Sequence, residues 1–154
     1  MTPLLTLSDL TQLTGLDVLD HLDRSISVPI SGGLQAQGDL LVIPMAMIDA
    51  ETLRDLRRGW NQRMPVPRDG VELLRSTAGG NPHTLTADEL TCTWSTPIFD
   101  EHRLALGIVD ASSTAYLIHP EHGATGIAPG TYLIRRQRES VGLFGYGRTQ
   151  FVAD

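Results

Sequence analysis

The densest group of chemically capable side chains is His119-Pro120-Glu121-His122, which follows directly on the apolar run Ala115-Tyr116-Leu117-Ile118. A strand that ends in a turn brings two histidines three apart toward one centre, and imidazoles at that spacing begin a transition-metal site. His83, aimed by the turn Gly79-Gly80-Asn81-Pro82, is a third ligand, with Glu121 as an alternative and His102 as a weaker one. The metal set is therefore His83, His119 and His122, and the ion a divalent one such as zinc. The same imidazoles can instead serve an anionic, phosphate-bearing ligand when a guanidinium faces them. Gln137 and Arg138, within Arg135-Arg136-Gln137-Arg138-Glu139, supply that second half, and Glu121 joins them as a ligand-binding residue. Imidazole with guanidinium is what a metal-independent phosphodiesterase or ribonuclease uses, so hydrolysis stays open and no catalytic residue is assigned. The plainer alternative is that the histidines close loop hydrogen bonds while the arginines guard an exposed sheet edge.

Other chemistry is narrower. The chain has no lysine, which excludes a Schiff-base lysine, a pyridoxal-phosphate anchor and a lysine-bearing phosphate loop. Cys92 is the only cysteine, so intrachain disulfides and multi-cysteine metal sites are excluded. Its alternation with Trp94 marks it as a small core residue. Ser112 or Ser113 can be set beside His119 and Asp110 on paper, yet no nucleophile-elbow pattern supports such a triad. A net charge of −6 argues against nonspecific duplex DNA as a partner. Asp17, Asp20 and Asp23 likewise oppose reading residues 1–23 as a DNA-binding helix-turn-helix.

The elements that must position these residues form one domain, since 154 residues build one ordinary core. No apolar run is long enough to span a membrane. The Met-Thr-Pro start lacks the character of a secretory leader, so a cytoplasmic location is expected. Residues 1–24 read as a helical arm: Leu10 and Leu13 precede a Gly15 stop, and Val18, Leu19 and Leu22 follow Asp17 as a new N-cap. With Leu4, Leu5 and Leu16 the arm carries more apolar surface than water tolerates, so it packs on the body or, as the alternative, serves as a docking element for a second copy or another protein. Residues 25–154 then form the mainly β body, a small barrel or sandwich with one internal helix.

Within the body, Ile26, Val28 and Ile30 alternate as a half-buried strand, and Leu40-Leu41-Val42-Ile43 reads as a strand buried on both faces. Asp49 caps a helix through Arg58. Asn61 to Gly70 reads as a mobile, arginine-bearing loop. Strands are expected at Val71 to Arg75, Leu90 to Thr96, Leu104 to Val109, Ala115 to His119, Tyr132 to Arg138 and Thr149 to Val152.

Gly38-Asp39-Leu40-Leu41-Val42-Ile43-Pro44, the glycine turn ending in His83, His119-Pro120-Glu121-His122, Pro129-Gly130-Thr131-Tyr132 and Gln137-Arg138-Glu139 follow in that order. The series resembles a group of small uncharacterised bacterial and phage proteins. These carry Gly-Asp-Val-Leu-Leu, Gly-His-Ala-His, His-Glu-Glu-His, Pro-Gly-Thr-Tyr and Gln-Arg-Glu-Tyr. The resemblance covers Gly38 to Asp154 and implies a shared polar site built on histidine. Asn81, Pro120 and Ser140 depart from the pattern, and Asn81 stands where the group has its first histidine.

Overall fold

The computed structural model describes residues 5–20, 22–56, 61–75, 80–100, 102–141 and 148–151, with the backbone alone at 138–141 and 148–151. Two open sheets face each other as a sandwich rather than closing into a barrel. The strands are β1 (Ile30–Ser31), β2 (Gln35–Gln37), β3 (Leu40–Pro44), β4 (Gln62–Pro65), β5 (Val71–Arg75), β6 (Pro82–Thr86), β7 (Cys92–Thr96), β8 (Ala105–Ala111), β9 (Ala115–His119), β10 (Gly123–Ile127), β11 (Gly130–Arg136), β12 (Arg138–Val141) and β13 (Arg148–Phe151). One sheet runs β1-β10-β9-β6-β5 and the other β2-β3-β11-β8-β7-β4, while β12 and β13 pair as a separate hairpin. All the pairings are antiparallel except that of β1 with β10.

Inward-facing residues of both sheets, among them Leu40, Val42, Leu85, Trp94, Val109, Leu117 and Ile134, make the central core. Each sheet is also covered on its outer face. Helix α1 (Leu7–Thr14) lies over the five-stranded sheet, where Leu7, Leu10, Val18 and Val28 bury Ile118. Helix α2 (Ala50–Leu56) covers the six-stranded sheet, with Leu56 packed among Ile98, Ala105 and Leu133. Among the described residues no helix is long and apolar enough to cross a membrane.

The arm begins as its caps dictate. Thr6 accepts from the Asp9 backbone N–H while the Asp9 carboxylate accepts from that of Thr6, and Gly15 ends the helix at φ 74°. Beyond Asp17 the chain makes turns, with Arg24 bonded to the Val18 carbonyl and the Asp17 carboxylate, rather than the expected second helical turn. Leu10 is buried on the chain's own sheet, Leu13 and Leu19 are exposed, and Leu4 lies outside the described residues.

The expected strand through Ile26, Val28 and Ile30 shrinks to Ile30–Ser31, because Val28 donates to the Leu5 carbonyl of the arm and Pro29 has no N–H for a ladder. Of its three apolar positions only Val28 is buried. Residues Asn61 to Gly70 are not a free loop either: Gln62–Pro65 is an edge strand against β7, and Val66 is buried. The expected strand through Arg138 breaks at Gln137, and β12 begins afterwards.

Candidate functional site

Strand alternation sets the site. Leu85 on β6 and Leu117 on β9 face the core, so His83, two residues before the first, and His119, two residues after the second, occupy the next inward positions. Thr84 lies opposite Ile118 and Gly123 opposite His119, which brings His83, His119 and the β9–β10 turn side by side. The core therefore ends in a polar row. His83 and His119 have no exposed surface, whereas His122, on the turn, is exposed.

The three rings form a column. Ring centroids are 4.4 Å apart for His83 and His119 and 4.5 Å for His119 and His122, and the outer two rings are nearly parallel at 6.4 Å. Burying an imidazole costs less where its nitrogens are bonded. The partners of His83 come from the facing sheet, at the hairpin joining β2 to β3, where Gly38 takes φ 56° in the first position of a two-residue turn. This hairpin aims Gln37 and Asp39 inward, both buried. His83 Nδ1 lies 2.9 Å from Gln37 Oε1, and Nε2 lies 2.9 Å from Asp39 Oδ1.

These contacts fix protons. Gln37 Nε2 donates to the Leu117 carbonyl at 3.0 Å, so the amide oxygen faces His83, and Nδ1 of that ring must carry a hydrogen. One further proton lies between Nε2 and Asp39. His119 is set the other way: its Nδ1 accepts from the backbone N–H groups of Glu121 and His122 at 3.1 and 3.3 Å, which in a neutral ring leaves the hydrogen on Nε2. With His83 and His119 so committed, the column does not offer three lone pairs to one ion while these bonds stand. Among the described residues no group of three or more His, Cys, Asp or Glu is arranged to hold a metal.

Around the column, Asn81 Nδ2 donates to Glu121 Oε1 at 2.8 Å, so Asn81 orients the acidic member of the turn. The Gln137 N–H donates to the Asp39 carbonyl at 2.7 Å, which brings the last motif to the same end of the sandwich. The Arg138 side chain lies outside the described residues. His83, His119, Glu121, His122 and the Gln137 backbone are thus brought together, while His102 lies apart in the turn between β7 and β8. Sequence reasoning missed Gln37 and Asp39 as partners of His83; the available signal was a Gly-Asp turn immediately before the most apolar strand. Cys92 is buried in the core, and burial, helped by the Asp110 charge, pushes its thiol up to about 11.

Residues 36–137 match a family described as a domain of unknown function, DUF8820. The chain belongs to this family. The match begins beside Gln37 and ends at Gln137, so it contains Asp39, His83, His119, Glu121 and His122 and leaves out the arm. No curated protein and no solved structure matches the chain.

Proposed function

We propose that the histidine end of the sandwich binds a small phosphate-bearing ligand, with His122 and Glu121 as its exposed acid–base groups. The observation that carries this reading is the continuous column of imidazoles running from the buried Gln37–His83–Asp39 contacts to an exposed His122. A core finished merely to exclude water needs no such row, since apolar residues at positions 83 and 119 would continue the pattern of Leu85 and Leu117 at less cost in desolvation. The buried rings lock the turn: the two N–H bonds to His119 Nδ1 hold the backbone from which Glu121 and His122 project. His122 supplies an N–H donor to a phosphate oxygen, and a carboxylate with an imidazole on one turn provides an acid and a base.

Chelation of zinc by His83, His119 and His122 is the weaker reading, because it requires the bonds to Gln37, Asp39 and the turn to be given up. A docking role for the arm is weaker too, since Leu7 and Leu10 already pack on the chain's own sheet. The reading is tested by titrating inorganic phosphate into the full chain and into His122→Ala by calorimetry. Binding in the millimolar range or tighter, weakened roughly tenfold or more in the variant, is the expected result. Absence of heat, or equal affinity in both proteins, overturns it.

A further inference from the structure

His122 faces more than solvent. It forms part of the wall of a cavity of about 140 Å³ whose other walls are mostly apolar: Leu7, Leu22, Ile26 and Val28 from the arm and its continuation, and Ala124 from β10. Leu7 and Val28 are buried in the outer cluster, whereas Ile26 stands 56% exposed at the cavity. The arm and its continuation, outside the family match, thus supply most of the wall of the cavity that His122 lines. A comparable apolar void of about 150 Å³ admits a benzene ring, which sets the scale of what fits.

Charge decides which part of a ligand enters. Asp23 is the acidic member of the wall, and the Ser25 hydroxyl and backbone N–H hold its carboxylate below the ordinary range. A fixed negative charge disfavours an anionic group inside. An uncharged one, pressed against leucine and isoleucine, is favoured.

We infer that this cavity receives the uncharged organic group of a phosphate monoester whose phosphate is held at His122, so that the ligand is an ester of a short alkyl or single-ring alcohol rather than free phosphate. The inference rests on the phosphate reading of the site. The arm then selects the ligand, and the histidine column holds its charged end.

The experiment measures dissociation constants of the full chain for inorganic phosphate, for methyl to hexyl phosphates and for phenyl phosphate, with benzyl alcohol as an uncharged probe. Affinity is expected to rise about three- to fourfold per methylene until the cavity is full and then level off, with phenyl phosphate well above inorganic phosphate. Ile26→Ser removes an exposed apolar wall at little cost to folding, and Ala124→Leu fills the space. Both should abolish the gain from the organic group while leaving inorganic phosphate affinity unchanged. If phosphate binds but the series is flat, or the gain survives both variants, the inference falls and the phosphate reading stands. If phosphate and its esters are silent, or only benzyl alcohol binds, the phosphate reading falls and takes the inference with it.

Discussion

Replacing Asp39 tests how the buried end of the histidine column is held. The carboxylate side chain is 9% exposed and its oxygen lies 2.9 Å from the Nε2 of a ring with no exposure at all. Asp39→Ala leaves that nitrogen without this partner in a place that water does not reach. If His83 is an imidazolium in the pair, removing its counter-charge costs about 3 to 5 kcal/mol; if the ring is neutral, an unsatisfied polar atom costs about 1 to 3 kcal/mol. Asp39→Asn is gentler. With Nδ1–H committed to Gln37, a neutral His83 accepts at Nε2 from the new amide, and the expected loss is about 1 kcal/mol. Urea unfolding of the wild type and both variants measures the difference directly. A loss above about 1 kcal/mol in the alanine variant, clearly exceeding the loss in the asparagine variant, supports the geometry, and a value of about 3 kcal/mol or more marks the charged pair. A loss below about 1 kcal/mol in the alanine variant, or equal losses in both, refutes the claim that Asp39 satisfies His83.

Other outcomes follow from packing. Gly107→Ala is expected to destabilise the fold by roughly 1 to 3 kcal/mol in a denaturant titration, since a Cβ there meets the Trp94 ring at 2.4 Å and the Ser95 carbonyl at 2.6 Å. Leu10→Ala, at a side chain only 2% exposed, should cost about 2 to 5 kcal/mol by the same measurement and so show the arm to be part of the core. Native Cys92 should react slowly with a thiol reagent at neutral pH and quickly once the chain is unfolded in urea. Its pKa is raised on folding from 9.0 to about 11, so the unfolded thiol ionises first. Stability should therefore fall as pH rises through that window, and a Cys92→Ala variant should lose this part of the slope.

The parts of the fold that could be read from sequence are those with unambiguous alternation. Val71–Arg75 and Ala115–His119 appear with the expected ends because each is an apolar run closed by turn residues. Gln62–Pro65 was hidden by its proline, which an edge strand tolerates, and Gly123–Ile127 by glycines. Gly126 is required there because a Cβ would lie 2.6 Å from Ile30 Cγ1, a contact between segments far apart in sequence. The site divides in the same way. Convergence of His119 and His122 is a local consequence of a strand ending in a turn, and His83 joins them through the β6–β9 register. Gln37 and Asp39 look in sequence like ordinary hairpin polar residues. Their role depends on a partner 44 or more residues away on the opposing sheet. The arm's leucines were legible as apolar, but nothing local distinguishes packing on the chain's own β9 from packing on a second copy.

Long-range proton–nitrogen correlation spectra of the imidazole rings test the central claim most directly. His119 should show an unprotonated Nδ1 and a protonated Nε2, His83 a protonated Nδ1, and phosphate should shift the His122 nitrogens while leaving the buried tautomers in place. A protonated Nδ1 on a neutral His119, or phosphate that leaves His122 unmoved while zinc shifts all three rings, would contradict the account.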